Sequence, residues 1–205
     1  MAVCVANCLH WVGFNLVSRL TENDHRVDGI AKISTEREEE FELMLGRNSL
    51  FSLYQHENEV KDKSYSALIL VDNPKLKSIN ASKTFNVEKE ADRSACINIE
   101  LPLLFGEWMP MDEKGMYTGD QYIEFCSKRF QDEAVYIDDF TNCFMQWLTI
   151  TNLPEKISLT KDRNFLSEKD SLEKQMYIRE NRPIDIQLSQ VINHYKKIKS
   201  DERWR

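Results

Sequence analysis

The chain has 205 residues, of which 41% are hydrophobic and 30% charged, and its formal net charge is -7. This composition is typical of a folded globular protein, and the negative charge disfavours nucleic acid and anionic membrane surfaces as partners. We expect neither a membrane-spanning segment nor a signal peptide, because no apolar stretch is long enough and the N-terminal segment lacks a basic region and a cleavage site.

The cysteines do not form a metal-binding pattern. They are odd in number and have no second pair or nearby histidine to complete a zinc site. Most of them lie in apolar stretches, where a cysteine is usually a small buried hydrophobic residue. We therefore expect no metal site and a cytoplasmic location for the protein. The five cysteines are Cys4, Cys8, Cys96, Cys126 and Cys143.

Short apolar runs alternate with helical patterns in the first half of the chain, which predicts an α/β fold with a doubly wound parallel sheet. A helix follows the turn Asn7–Trp11, and a second one, acidic at its start, covers Thr35–Leu45. The predicted strands are Ala2–Ala6, Arg26–Ala31, Phe51–Tyr54 and Ala67–Val71.

The second half is predicted with fewer elements. The polar segment Pro74–Arg93 indicates a loop or an irregular excursion, and Cys96–Leu104 indicates a fifth strand. The remaining predictions are an extended piece over Glu133–Ile137, helices over Phe140–Leu148 and Ile184–Ile198, and a frayed tail over Ser200–Arg205. We expect a single Rossmann-like domain, with the core sheet in residues 1–105 and a small α/β appendage of substrate-side and C-terminal helical segments in residues 106–205.

The first strand–helix turn has the spacing of a dinucleotide-binding turn but only its last glycine. Such a turn carries three glycines, for the turn itself, for the approach of the pyrophosphate and for helix packing. Here the three positions hold Asn7, His10 and Gly13. Asn7 tolerates a left-handed conformation, whereas the His10 side chain would occupy the pyrophosphate space. His10 either donates to another anion or fills a relic turn, and the degraded pattern favours the relic.

The end of the second strand also departs from the dinucleotide pattern. The acidic residue that normally holds the ribose hydroxyls is replaced by Ala31 and Lys32, while Asp28 lies three residues earlier. The basic side chains of Lys32 and Arg37 could bind a 2′-phosphate. Alternatively, they are ordinary solvent-exposed surface residues. We expect no cofactor or weak NAD(P) binding, and the candidate cofactor-binding residues are Asn7, His10, Trp11, Val12, Gly13, Ala31 and Lys32.

Several segments resemble the extended short-chain dehydrogenases, the NAD-dependent epimerase/dehydratase family. VCVANCLHWVGFNLVSRLTENDHRVDGIAKIST resembles the opening of that family, and INIELPLLFGEWMP resembles its strand and loop of the type Arg-x-x-Asn-hydrophobic-Tyr-Gly-Pro. DEAVYIDDFTNCFMQWL is similar to its strand, Val-Asp-Asp and helix, and RPIDIQLSQVINHYKKI to its closing helix. The resemblance implies a Rossmann fold with an NAD(P) site.

The residues that the resemblance implies for catalysis are missing from their expected place. In this family a Ser or Thr and a Tyr-x-x-x-Lys pair carry out the chemistry, with the lysine lowering the tyrosine pKa. The corresponding interval, Pro74–Ala95, is short and contains no tyrosine. Tyr195 and Lys199 have the right spacing, but they lie on the last predicted helix, with Tyr195 inward and Lys199 in solvent. We therefore expect no catalytic residues and a non-catalytic protein, a pseudoenzyme with a binding or regulatory role.

The missing segment would also remove the helices through which members of the family usually dimerise. One sheet face should then be bare unless another element or chain covers it. A protein partner or a homo-oligomer through that face is therefore an expectation. The alternatives are an NAD(P)-binding oxidoreductase or epimerase relative that borrows catalytic groups, and a structural subunit that pairs with a full-length family member.

Other candidate sites are weaker. Asp138 and Asp139 are expected to cap the helix that follows them. The segment Gly106–Pro110, together with Met111, Met116 and Tyr117, is a remnant pocket, a protein-binding surface or a loop packed on the shortened fold. Two basic residues would suit phosphate groups but are expected to face solvent, namely Arg163 and Arg179.

Overall fold

A computed structural model describes residues 1–72, 74, 76, 79–89, 93–160, 173–178 and 181–200. The strands are β1 Ala2–Ala6, β2 Arg26–Ile30, β3 Phe51–Tyr54, β4 Ser64–Tyr65, β5 Ala67–Val71, β6 Asn80–Ala81, β7 Thr84–Glu88, β8 Ile97–Glu100, β9 Leu103–Phe105, β10 Gly115–Thr118, β11 Gln121–Glu124, β12 Ala134–Tyr136, β13 Lys156–Thr160 and β14 Glu173–Tyr177. The helices are α1 Trp11–Glu22, α2 Glu36–Leu45, α3 Lys128–Glu133, α4 Ile137–Thr149 and α5 Ile184–Ser200, with one 3-10 turn over Glu57–Glu59. Arg163, Arg179 and residues 201–205 of the expected tail lie outside the described residues.

Eight of these strands form one parallel sheet in the order β14-β13-β8-β7-β5-β1-β2-β3. The chain runs from β1 outward to β3, returns to place β5 beside β1, and then continues in the other direction. This reversal of direction between β1 and β5 is the topological switch point of a Rossmann-like sheet. The predicted fold class is therefore confirmed.

Several predicted boundaries are also confirmed. β1, β3 and β5 have the predicted limits, and β2 ends one residue earlier than predicted. Thr35 is the N-cap of α2, where its hydroxyl accepts the Glu38 amide while the Glu38 carboxylate accepts the Thr35 amide. This capping box, with acidic residues in the first turn, explains why the helix begins there.

The prediction of a loop over Pro74–Arg93 is wrong, because this segment contains β7 in the middle of the sheet. Its sequence TFNVE alternates polar and apolar residues, so it lacks the continuous apolar run of a strand covered on both faces. Only Phe85 and Val87 point into the main core, and both are fully buried.

The predicted single strand over Cys96–Leu104 is two strands. β8 pairs with β7 and β13, whereas β9 pairs with β12 in a separate two-stranded sheet. The break falls at Leu101 and Pro102. Because proline has no amide hydrogen to donate, the chain leaves the large sheet at this point.

Five elements of the second half were not predicted. They are the two strands of the β10–β11 hairpin, α3 and the outer strands β13 and β14. The hairpin turns at Gly119, whose φ of 57° is left-handed. The outer strands are short and rich in polar residues, so their sequences carry no clear hydrophobic signal.

Each of the five helices contributes side chains to a main core on one face of the sheet. The other face of β1, β2 and β5 is covered by the segment that follows β3, through a smaller cluster containing Cys4, Val60, Leu68 and Leu70. No helix packs on this second face within the described part of the chain.

An ion pair ties that covering segment to the sheet. Lys63 donates to the Asp28 carboxylate and to the Tyr54 hydroxyl, each at 2.7 Å. The Tyr65 hydroxyl donates to the same carboxylate at 2.7 Å. Asp28 therefore holds the covering segment rather than a ribose.

The rest of this second face is polar. The residues of β7, β8 and β13 that point away from the main core bond to one another across the strands. The Asn86 amide donates to Asn98 at 3.1 Å, and the Ser158 hydroxyl donates to Glu100 at 2.8 Å. Asn86 and Asn98 are themselves buried, and the Arg93 backbone bonds to the Asn98 side chain, so the segment before β8 covers this part of the face through polar contacts.

Among the described residues, the helices are all too short or too polar to cross a membrane.

Candidate functional site

A cleft of about 710 Å³ opens at the carboxyl ends of β1, β5, β7 and β8, beside the switch point. Ligands of open α/β sheets bind in this position, and the volume suits a small molecule. Its lining residues come from the β1–α1 turn, the ends of three strands, the β10–β11 hairpin and α3. Those used below are His10, Trp11, Val12, Asp72, Glu88, Lys89, Glu100, Tyr117, Arg129 and Glu133.

The turn between β1 and α1 keeps the backbone shape of a dinucleotide-binding turn. Asn7 has a φ of 59°, the left-handed conformation that the first glycine would supply. Its side-chain amide donates to the Val71 carbonyl at 3.2 Å, which ties the turn to β5. A Cβ on Gly13 would lie 2.5 Å from the Asn7 carbonyl oxygen, so the packing glycine is required.

His10 occupies the N-cap of α1 with its own side chain. Its Nδ1 accepts the Val12 amide at 3.4 Å, so a donor that would face a phosphate is already bonded. Burial lowers the pKa of His10, and the nearby Asp72 carboxylate acts in the opposite direction. A neutral imidazole therefore closes the helix end.

The turn separates the larger cleft from a second one of about 440 Å³. Asn7, Ala31 and Lys32 line the second cleft, with Gln55 and His56 opposite. The candidate cofactor-binding residues are thus divided, because His10, Trp11 and Val12 line the larger cleft and Gly13 is buried against the turn. Arg37 lies elsewhere and donates to the Met109 carbonyl at 3.5 Å.

The lining of the larger cleft carries more negative than positive charge. It has four carboxylates and two cations, and one cation, Arg129, pairs with Glu133 at 3.2 Å. Glu100 accepts from Ser158 and lies 3.7 Å from the Lys156 ammonium. Sequence reasoning missed the exposed Asp72, although its position directly after a buried strand was a usable signal.

The cleft contains a tyrosine and a lysine, Tyr117 and Lys89, from different elements. The Tyr117 hydroxyl donates to the Asp112 carboxylate at 3.5 Å. Its ring lies 5.0 Å from that of Tyr122 at an interplanar angle of 53°, and the Tyr122 hydroxyl donates to the same carboxylate at 2.9 Å. The phenol therefore has an acidic neighbour, whereas its use as a base requires a cation beside it.

Tyr195 and Lys199 lie on α5, away from the larger cleft. Tyr195 lines a separate pocket of about 260 Å³ beside Trp108 and His194. The Lys199 ammonium lies 5.7 Å from the centre of the Tyr195 ring and 3.9 Å from the Glu113 carboxylate. Tyr195 is half-buried and Lys199 is exposed, in line with the expectation of Tyr195 inward and Lys199 in solvent.

The expectation that Asp138 and Asp139 cap a helix is wrong, because α4 begins before them at Ile137 and Tyr136 is the N-cap. Asp139 is buried and accepts from Asn181 and from Gln187, the latter at 3.0 Å. Asp138 pairs with Arg19 of α1 at 3.3 Å. The two carboxylates join neighbouring helices instead of capping their own.

The loop Gly106–Pro110 packs on the fold, which was one of the three alternatives. The Trp108 ring makes edge contacts with Phe14, Phe41 and His194, and Met109 is buried. The following Met116 and Tyr117 reach the larger cleft instead. Trp108 and Met109 therefore pack in the core, whereas Met116 and Tyr117 line the larger cleft.

Over the described residues, no group of three or more histidine, cysteine, aspartate or glutamate side chains could hold a metal ion. Burial raises the pKa of Cys4 to about 12, which keeps that thiol protonated.

Comparisons with solved structures show the fold. The chain is 9% identical to a UDP-glucuronic acid 4-epimerase from Bacillus cereus, a tyrosine-to-phenylalanine mutant in complex with NAD and UDP-4-deoxy-4-fluoro-glucuronic acid, with a TM-score of 0.61 over 97% of this chain and 100% of that chain. It is 10% identical to the yeast methylglyoxal/isovaleraldehyde reductase complexed with NADPH (TM-score 0.57, 98% and 100%) and 8% identical to vestitone reductase from alfalfa (0.59, 96% and 98%). No protein-family model and no curated protein sequence matches the chain. These neighbours confirm the predicted Rossmann-like α/β fold.

Proposed function

We propose that this chain is a non-catalytic relative of the NAD-dependent sugar-nucleotide epimerases and dehydratases and acts as a binding or regulatory protein. The observation that carries this proposal is the environment of Tyr117, the tyrosine of the larger cleft. Its hydroxyl donates to Asp112, so the cleft does not pair a phenol with an ammonium group. Without such a pair, the described part of the cleft lacks the tyrosine base that the resembling family uses beside the nicotinamide.

The connections between the central strands support the same conclusion. Residues 72–83 join β5 to β7, and residues 89–96 join β7 to β8. Parallel strands are usually joined through a helix, and in the resembling family these two connections carry the catalytic residues. In this chain neither connection contains a helix among its described residues.

The turn and the charge of the larger cleft act against a dinucleotide. The His10 imidazole takes the Val12 amide, and the lining has an excess of carboxylates. A pyrophosphate placed there would lose a backbone donor and meet negative charge. We therefore expect the cleft to bind a ligand without phosphate groups, or none.

A second candidate is a protein that keeps weak NAD(P) affinity. The left-handed Asn7 and the close approach of Gly13 favour it, since both preserve the geometry of the turn. Lys32 also lies at the edge of the smaller cleft, where an adenosine phosphate would find a cation.

Thermal unfolding and fluorescence titration with NADH and NADPH separate the two candidates. A ligand present at about a hundred times its Kd adds about 2.7 kcal/mol to the free energy of unfolding. We expect no stabilisation, and no hydride transfer from either cofactor. Saturable binding without turnover would support the second candidate, and turnover would exclude the non-catalytic role.

A further inference from the structure

The larger cleft combines features that suit a ligand different from a dinucleotide. It is a cavity at the carboxyl edge of the sheet, with Trp11 and Tyr117 among its lining residues. Aromatic side chains supply both apolar contact and an electron-rich face that attracts organic cations. Tyr117 lines the cleft and is 47% exposed as a residue.

The charged groups of the cleft favour a positive ligand. Arg129 is paired with Glu133, which leaves Lys89 as the second cation of the lining. The lining also includes the carboxylates of Asp72, at the end of β5, and of Glu88, at the end of β7, which accepts from the Asn86 amide at 2.8 Å. The helix end that would add positive potential is closed by the uncharged His10 ring.

We propose that this cleft binds a small organic ammonium ion, with Asp72 and Glu88 as its counter-charges and with Trp11 and Tyr117 as its aromatic contacts. This inference rests on the proposed function, because it requires that no dinucleotide occupies the cleft. It assigns the ligand class by three separate features, the cavity, the aromatic walls and the closed helix end, and the carboxylates set the sign of the charge.

A pair of probes tests the role of the charge. Choline carries a quaternary ammonium group, and 3,3-dimethyl-1-butanol is its neutral carbon isostere. We expect choline to bind the wild-type chain at least about threefold more tightly than the alcohol, as judged by tryptophan fluorescence and calorimetry at constant ionic strength. Equal binding of the two probes, or binding of neither, would overturn the proposal.

A matched pair of variants tests the site. Asp72 and Asp24 both have left-handed backbones, with φ of 54° and 59°, and asparagine tolerates that conformation. We expect Asp72→Asn to weaken choline binding roughly threefold, as befits an exposed charge. Asp24→Asn lies outside the cleft lining and should leave the Kd unchanged. An unaltered Kd in Asp72→Asn contradicts the assignment.

The two proposals fail separately. If choline does not bind, the proposal of a non-catalytic role is unaffected, because that role is tested by cofactor turnover. Detection of turnover would overturn the non-catalytic role without use of choline.

Discussion

The Nδ1 atom of His10 lies 3.4 Å from the Val12 amide nitrogen and accepts its hydrogen, so the first turn of α1 is capped by the residue that stands in the second glycine position. The same position lies between the two clefts of the carboxyl edge. One side chain thereby takes the place that a phosphate oxygen would have at the Val12 amide and keeps the helix end satisfied.

Opening the turn should restore part of the dinucleotide site. We expect the double variant Asn7→Gly, His10→Gly to bind NADH roughly tenfold more tightly than the wild type, because it frees an amide for a charged acceptor. Fluorescence titration of NADH measures this change. The single variant Asn7→Gly is the control, since it keeps the imidazole in place. Unchanged affinity in the double variant would show that the turn is not a phosphate site.

The cap should make stability depend on pH. The pKa of His10 is lowered in the folded chain, so its contribution to stability is present above the ordinary histidine value and is lost as the pH falls through the lowered pKa. Asparagine caps a helix without titrating. We expect His10→Asn to reduce the loss of stability between about pH 6.5 and pH 5, as measured by urea unfolding. The pKa values of His25 and His194 are also lowered, so the difference between wild type and variant is the informative quantity. Parallel pH profiles would contradict the role of the cap.

Lys83 caps the C-terminus of α4. Its ammonium donates to the Leu148 carbonyl at 3.2 Å and to the Ile150 carbonyl at 2.6 Å, at the C-terminus of α4. A cation at this position interacts favourably with the helix dipole. We expect Lys83→Met to lower the free energy of unfolding by about 1 kcal/mol in urea. Lys114→Met, at an exposed lysine in the loop before β10, should change it by less than about 0.5 kcal/mol, and equal effects would exclude the capping role.

The Asp28 contacts should matter most at high pH. The pKa of Lys63 is raised chiefly by its hydrogen bond to Asp28, and the pKa of Tyr65 is raised by burial and by the same carboxylate. Both groups stabilise the fold while protonated, so their contribution is present below their unfolded pKa values and is lost as the pH rises through the folded ones. We expect the wild type to lose stability above about pH 10, and Asp28→Asn to lower stability at pH 8 and to lose less with rising pH. Denaturant midpoints at pH 8 and pH 11 provide the measurement. The same pH dependence in both proteins would mean that the carboxylate does not hold these protons.

The polar sheet face bears on the expected partner. The Asn86 and Asn98 side chains are buried and bonded, and Ser158 donates to Glu100, so this face offers little apolar surface for another chain to cover. We expect light scattering after size exclusion to give the monomer mass of 24.2 kDa at micromolar concentration. A dimer that dissociates in Ser158→Arg but persists in Lys114→Met would instead identify this face as an interface, as the missing helices first suggested.

Most of the first half of the fold was predictable because its signals are local. The valine-rich β1 and the apolar β5 are buried on both faces, so their sequences are continuous apolar runs. Thr35 and Glu38 carry their own capping box. In such elements the backbone conformation follows from neighbouring residues.

The central strand β7 was not predictable for a physical reason. A helix layer covers only one of its faces, so its sequence alternates like that of a solvent-facing strand and was mistaken for a polar loop. Asp139 was likewise assigned to its own helix, although its partners Asn181 and Gln187 are more than forty residues away. Contacts of that separation leave no local pattern in a single sequence.

The sequence by itself determined the strands β1, β2, β3 and β5 and the damaged glycine spacing of Asn7, His10 and Gly13, because strand burial and turn residues can be recognised from adjacent positions. The tertiary structure alone decided that the His10 ring caps α1, that Tyr117 meets Asp112 in the cleft, and that the helix-free face is polar. These features depend on which distant strands become neighbours, and that choice is made by the packing of the whole chain.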